Sequence, residues 1–235
     1  MKLDDCGKLF APFKHGHIFV GFSGGADSTA ALLIAQMFQK KYSYQLTAIH
    51  FDHGLRGQES TREAADAQQF ALDHAIEFKL IKLNLTPGAG IENRARAARL
   101  KVWQQLVKAE PHSAVVLGHH ADDRAENLLL RLARGANATG LTSMRNQSIV
   151  NQVIFLRPLL NFTRAEIEEF LKKNGIFEWA NDSSNAEGQF RRNILRNQIL
   201  PELYTKLPGA QTGIRRSLEV PVSYTHLTLP TRVAV

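Results

Sequence analysis

HIFVGFSGGADSTAALLIAQMF, residues 17–38, joins three local patterns without a break. His17–Phe22 is a short apolar run of the length of a buried strand. Ser23–Ser28, SGGADS, is a glycine-rich turn, and an apolar helical pattern follows at once. A strand, a glycine-rich turn and a helix in that order place successive backbone N–H groups at the positive end of the helix, where they form an anion nest. Gly24 and Gly25 can take positive φ and let an anion approach the main chain. Ser23 and Ser28 add hydroxyls. No GxxxxGK[ST] is present, so this is not a Walker loop. An aspartate, Asp27, sits inside the turn instead. Beside a polyphosphate it would be repelled unless a cation intervened, which points to Mg²⁺ bridging carboxylate and phosphate oxygens. The same residues also read as a plain capped turn, with Asp27 and Ser28 as helix caps. The residues alone leave both readings open.

Outward from this stretch, strand and helix patterns alternate. Gln45–Phe51, Phe78–Leu83 and Ala114–Gly118 read as strands, and Asp27–Gln39, Thr61–His74, Ile91–Ala109 and Asp122–Arg134 as helices. That alternation predicts a parallel sheet covered on both faces, with right-handed crossovers. A fifth strand, Val153–Arg157, ends at Pro158. A helix over Arg164–Asn174 follows, with Thr163 as N-cap, Glu166 as its capping-box partner and Gly175 as the stop. A last helix spans Phe190–Leu207, kinked or divided at Pro201. The expected fold class is α/β, a Rossmann-like parallel sheet with helices on both faces and a short helical C-terminal extension. One domain is expected over residues 1–215. Residues 216–235 read as a tail, non-native or disordered: VPVSYTHLTLPTRVAV has no charged helix face, and SYTHLTLPT resembles sequencing-adaptor read-through.

A length of 235 residues suits one large α/β domain. Lys plus Arg number 29 against 22 Asp plus Glu, a net charge of +7 that is compatible with a polyanionic partner such as RNA. Cys6 is the single cysteine, so no intrachain disulfide forms and a thiolate zinc site is effectively excluded. The expectation is a reducing, cytoplasmic protein. The start, MKLDDCGKLF, has acids where a signal peptide would be basic, and no apolar run approaches the ~20 residues of a membrane span.

Further polar clusters fall at strand ends or on helices. Phe51-Asp52-His53-Gly54-Leu55-Arg56 follows the second strand, on the ligand-binding edge of such a sheet. His50 and His53 there read equally as site residues or, plainly, as one satisfied core histidine and one exposed loop residue. Arg96 and Arg99 share a face of the third helix with Glu92 one turn before. They suit phosphate binding, or form an ordinary solvated face. Gly118–Asn127, GHHADDRAEN, brings His119, His120, Asp122, Asp123 and Glu126 to a helix N-terminus. Acids there complement the helix dipole, and the same set suits Mg²⁺ binding and proton handling opposite the glycine-rich turn. Near the C-terminal side stand Arg157–Leu160, Asn181–Asn185 and Arg191–Asn197. In the last of these Arg192 and Arg196 lie four apart on one helical face with Asn193 beside them, an RNA path or a solvated face.

SGGADS after an apolar strand resembles the PP-loop of the N-type ATP pyrophosphatases. In order, SGGADS, DHGLR, ENRARAARL, GHHADDRAEN, RPLL and NDSSN…FRRNILR resemble the tRNA(Ile)-lysidine synthetase family over about residues 15–205. Leu100, Arg124 and Asn127 depart from residues common in that family, and tuning rather than loss of activity is expected. The resemblance implies ATP-dependent ligation of lysine onto the wobble cytidine of an isoleucine tRNA, through adenylation of the base. It implies ATP on Ser23, Gly24, Gly25, Ala26, Asp27 and Ser28, and Mg²⁺ at Asp27 and Asp123. Asp27, Asp122, Glu126 and His119 are the expected catalytic residues. His53, Arg56, Arg96, Arg99, Arg192, Asn193 and Arg196 are expected to position tRNA or substrate. The partners are the anticodon region of the tRNA, ATP and free lysine, with no membrane. Many members continue into C-terminal domains, so a C-terminally truncated chain is expected. The alternatives are another PP-loop adenylating ligase, or a non-catalytic RNA-binding fragment. A single cysteine argues against the thiolases of this fold, which use cysteine pairs.

Overall fold

The computed structural model describes residues 3–54, 57–136, 144–180 and 193–219. A first helix, α1 (Asp4–Phe10), and a 3₁₀ turn (Ala11–Phe13) lead into β1 (His17–Gly21). Then come α2 (Ala26–Tyr42), β2 (Gln45–Asp52), α3 (Gln58–Asp73), β3 (Glu77–Lys82), α4 (Ile91–Ala109), β4 (Ser113–Val116) and α5 (Ala121–Leu132). A hairpin of β5 (Gln147–Val150) and β6 (Val153–Leu156) precedes α6 (Arg164–Lys173). A π-helical turn (Leu195–Ile199), α7 (Leu200–Lys206) and α8 (Ala210–Glu219) follow.

The six strands form one sheet in the order β3-β2-β1-β4-β6-β5, parallel except for β5. The strand order reverses between β1 and β4, so a crevice opens there at the carboxyl ends of the strands. Alternation along β1 sends Ile18 and Val20 to one face and Phe19 to the other. On the first face α2 contributes Ala30 to Ala35, joined by Ala67 and Ala71 of α3 and Ile167 and Leu171 of α6. On the second face Trp103 of α4 packs on Phe19, Ile49, Val115 and Phe155. Each fully buried large side chain contributes about 1.5–3 kcal/mol, so both faces are held in place chiefly by this burial.

The expected elements of the parallel sheet all appear, within a few residues at their ends. Thr163 and Glu166 form the expected capping box: the Thr163 amide donates to Glu166 Oε2 at 2.7 Å, and the Glu166 amide to Thr163 Oγ1 at 3.3 Å. Gly175 has φ 81°, the left-handed stop. Three elements were not expected: α1, β5 and α8. β5 is a four-residue, largely exposed edge strand whose hairpin turns through Asn151 and Gln152, both with positive φ, a turn without the usual glycine. The last helix changes character near Pro201, as expected: its described part passes from a π-helical turn into α7, and Pro201, near the start of α7, has no N–H for the helical ladder. The boundary expected after residue 215 falls inside α8, which runs to Glu219. Residues 220–235 lie outside the described residues.

Candidate active site

The turn between β1 and α2 is braced by its own hydroxyls. Ser28 Oγ donates to the Gly25 carbonyl at 2.9 Å and lies 3.1 Å from Ser23 Oγ. The Ser23 amide donates to Ser28 Oγ at 3.2 Å. Thr29 donates to the Gly25 carbonyl through both its amide, at 2.9 Å, and its hydroxyl, at 3.0 Å. Gly24 sits at φ 84°, a conformation that favours glycine. Ser28 is therefore a brace of the loop as well as a candidate ligand. Ala26 is buried at the start of α2, leaving the loop's backbone to define the anion site.

Asp27 points from α2 to the acid-rich start of α5. Its Oδ2 accepts from Arg164 Nη1 at 2.8 Å and lies 3.7 Å from His120 Nε2. Burial pushes the Asp27 carboxyl up, while His120 and Arg164 pull it back. The close approach is possible because Gly118, at the end of β4, has no side chain. A Cβ there would lie 2.8 Å from the backbone carbonyl of Asp27 and 3.0 Å from the Ser28 amide nitrogen.

His120 is the hub. It is 4% exposed, with Nε2 3.6 Å from Asp123 Oδ2 and Nδ1 3.5 Å from Asp122 Oδ2. Burial alone would lower its pKa, but Asp122, Asp123 and Asp27 outweigh burial and raise it. The two acids also cap helices. The His120 amide donates to Asp123 Oδ2 at 3.0 Å, and the Arg164 amide to Asp122 Oδ2 at 3.1 Å. Burial opposes the charge on Asp122, yet His120 and the Arg164 amide hold its pKa low. Glu126 is 2% exposed and accepts from Arg196 Nε at 2.6 Å, and Arg196 Nη2 also donates to Asp123 Oδ1 at 3.0 Å. Burial pushes Glu126 up, restrained by Arg196. Tyr204 of α7 is pushed up to about 12 by burial, with the charges of Asp122 and Glu126 adding to it.

Among the expected site residues, the structure thus brings Asp27, Asp122, Asp123, Glu126 and Arg196 together beside the phosphate loop. His119 is the half-exposed neighbour of the hub, and His120, the less emphasised of the pair, occupies its centre. Arg196 was expected to line an RNA path. Here its half-exposed side chain reaches to the acids of α5 and bonds Asp123 and the buried Glu126 carboxylate, which needs a cation. Asn193 is half-buried just before the π-helical turn. His53 lies just beyond β2, where its carbonyl accepts from the Leu85 amide at 3.4 Å. Its neighbour His50 proves to be the core histidine, bonded to the Phe22 carbonyl at 2.9 Å. Arg96 and Arg99 are exposed on α4, across the sheet from α2. Arg56 and Arg192 lie outside the described residues, as do residues 181–185.

Arg164 matters here although the sequence did not single it out, and His120, which the sequence placed in the cluster without preferring it to His119, is the hub. Arg164 had one legible signal. It is a cation at the first position of a helix, where the dipole favours an acid, so its charge needed a partner elsewhere. Mg²⁺ was expected on Asp27 and Asp123. Among the described residues no group of three or more His, Cys, Asp or Glu is arranged to hold a metal alone. Yet Asp27 Oδ1 is buried without a hydrogen-bond partner, which fits a cation completed by phosphate and water oxygens.

A family model described as a PP-loop domain matches residues 3–203. The chain is 37% identical over 207 residues to the tRNA(Ile)-lysidine synthase of Pseudomonas putida, covering 86% of this chain and 46% of that protein. It is 35% identical over 207 residues to the enzyme of that name from Histophilus somni, covering 88% and 48%. The chain spans about half the length of the curated relatives it matches. Among solved structures, the U34-tRNA thiolase NcsA from Methanococcus maripaludis, with its 4Fe-4S cluster, has a TM-score of 0.67 at 16% identity, covering 99% of this chain and 86% of that one. NAD+ synthetase from Burkholderia pseudomallei has a TM-score of 0.50 at 12% identity, covering 79% and 67%. These two likenesses show the fold alone.

Proposed function

We propose, for a chain that belongs to the PP-loop domain family, that its site adenylates the wobble cytidine of an isoleucine tRNA and joins lysine to it, forming lysidine. The observation that carries this reading is the juxtaposition of the phosphate loop with the acids of α5 across the switch point, through Asp27 and His120. A bare nucleotide site needs the loop alone. The acids beside it suit a second, cationic reactant. The similarity to proteins named tRNA(Ile)-lysidine synthase supports reading that reactant as lysine and the RNA as an isoleucine tRNA.

ATP lies with its phosphates on the backbone N–H groups of Ser23–Ser28, at the positive end of α2. Asp27 and Asp123 would hold Mg²⁺, which when bound neutralises phosphate charge. The cytosine carbonyl oxygen attacks the α-phosphorus, and the bond to the β-phosphate bridging oxygen breaks, releasing pyrophosphate. Arg164 offers positive charge at the phosphates as the transition state forms. The deprotonated ε-amine of lysine then attacks carbon 2 of the base, and AMP leaves. Asp122, which favours its charged form, holds the lysine ammonium. Glu126, pushed up by burial, takes a proton more readily, and His119 or His120 relays it to solvent. Arg192 and Asn193 would position the anticodon, and His53, Arg56, Arg96 and Arg99 the tRNA or substrate. A cytoplasmic location goes with this reading. Among the described residues no helix is long and apolar enough to cross a membrane.

The test is an assay of the purified chain with ATP, lysine and an isoleucine tRNA transcript, omitting each in turn. The expected result is AMP release and lysine incorporation that need all three. AMP release indifferent to lysine would assign the site to another PP-loop ligase, and tRNA binding without AMP release to a non-catalytic RNA-binding fragment. In the same assay Asp27→Asn is expected to fold normally and to lose ATP–pyrophosphate exchange by about 10²- to 10³-fold. Wild-type exchange in that variant would remove Asp27 from the mechanism.

A further inference from the structure

Beside the phosphate loop, on the α6 side, lies an open cavity of about 520 Å³ lined by Arg164, Glu168, Phe177, Glu178 and Trp179. Its size falls within the ~300–1,000 Å³ of small-ligand sites. Two contacts fasten it to the loop. The Ala180 amide donates to the Gly24 carbonyl at 3.0 Å, which seats the end of the aromatic segment on the glycine turn. Arg164, in the cavity wall, reaches Asp27 at 2.8 Å and Glu168 at 2.8 Å. Whatever fills the cavity therefore sits one side chain away from the phosphate site.

The lining is specific in character. Ile176 and Trp179 pack against the core, whereas Phe177 between them is 71% exposed. An exposed phenylalanine alone means little. Here it stands with an indole, a guanidinium and two carboxylates around one cavity. Flat π-faces bind a planar partner by stacking. The carboxylates accept from exocyclic amines and repel phosphate, and the guanidinium donates to ring carbonyls. An apolar ligand would not use the charges, and a backbone phosphate would be repelled by Glu168 and Glu178. A nucleobase uses every group.

We propose that this cavity receives an unstacked base of the RNA substrate, adjacent to the base that reacts, stacked on Phe177 and Trp179. The proposal rests on the RNA-modifying reading above and adds a subsite to it. A strand whose reacting base lies over the phosphate loop has its next base within reach of the segment anchored at Gly24. Splaying two neighbouring bases apart would present the reacting one singly to the loop, and stacking offsets the cost of unstacking them.

The chain has two tryptophans, and Trp103 is 4% exposed in the core, so a change in emission on binding reports chiefly on Trp179. The experiment titrates the protein with an anticodon stem–loop RNA, and separately with ATP, in the wild type and in Phe177→Ala and Phe177→Tyr. The expected result is quenching by the RNA and not by ATP. Phe177→Ala should bind the RNA about tenfold more weakly with an unchanged ATP titration, and Phe177→Tyr should restore affinity. RNA binding by Phe177→Ala with wild-type affinity and quenching would overturn the subsite while leaving the RNA-modifying reading intact. Quenching by ATP instead would assign the cavity to the nucleotide's own base and overturn the proposal. Absence of RNA binding by the wild type would overturn both.

Discussion

The Arg164 guanidinium lies 2.8 Å from the Asp27 carboxylate, across 137 residues of chain. It joins the first turn of α6 to the phosphate loop, and its own amide is held by Asp122. Replacing it with glutamine removes a cation from a carboxyl that burial already pushes up. Arg164→Gln is expected to weaken ATP binding about tenfold, the worth of a charge-assisted hydrogen bond. Asp27 then takes its proton at higher pH, so the acid limb of ATP–pyrophosphate exchange moves upward. Arg164→Lys should recover part of both. An acid limb that stays in place in Arg164→Gln would show that Arg164 does not act on Asp27.

Gly118 is a contact residue of the loop through the absence of a side chain. In Gly118→Ala the new methyl meets the backbone of Asp27 and Ser28, which cannot turn aside like a side-chain tip. The expected cost is about 1–3 kcal/mol of stability, with a parallel loss of ATP affinity. Gly213, in α8, has nothing within 4 Å of its would-be Cβ. Gly213→Ala is expected to gain about 0.5–1 kcal/mol through helix propensity. Denaturant midpoints and ATP titrations of the two variants check both statements, and equal effects would count against the close-approach argument.

Arg196 neutralises a carboxylate that is 2% exposed. Arg196→Ala leaves Glu126 buried without its cation and is expected to cost about 1–3 kcal/mol, moderated because the arginine itself is half exposed. Glu126→Gln in the same background should recover part of the loss, since a neutral amide needs no cation. The measurement is urea denaturation of the two single variants and the double variant. Strict additivity of the single effects would mean that the pair is not coupled.

His17 and His50 give the acid side of the stability profile. Both are buried, and burial lowers both from the usual value of 6.5, against opposing glutamates and, for His50, the Phe22 carbonyl. The unfolded chain therefore binds protons that the folded chain resists. Their contribution is complete above about pH 6.5 and is lost as pH falls through the lowered folded values. His50→Gln should flatten that decline by up to about 1.4 kcal/mol per pH unit. Denaturation midpoints from pH 7.5 downward test this, and parallel declines in variant and wild type would remove His50 from the account.

Much of the site was legible because its parts are local. SGGADS is a nest because six consecutive residues make it one, and GHHADD places acids at a helix start by chain order alone. What escaped was set by residues far apart. His120 and His119 are indistinguishable as letters; packing buries one and leaves the other half-exposed. Helical spacing put Arg196 on an RNA path or a solvated face and says nothing of its partner; only the fold sets the half-exposed Arg196 on the buried Glu126. β5 escaped because it is a four-residue edge strand held by pairing with β6, too short to carry a pattern of its own.

By itself the sequence determined the order of the parallel strands and the helices between them, the phosphate nest and the charges near it. Those follow from periodicity, glycine and helix dipoles, which act over a few residues. The tertiary structure decided which charges meet. It set Arg164 on Asp27, Arg196 on Glu126, and Gly118 against the loop backbone. These pairings depend on burial and on the reversal of strand order between β1 and β4, and a desolvated carboxylate selects its cation by what the fold brings within about 3 Å.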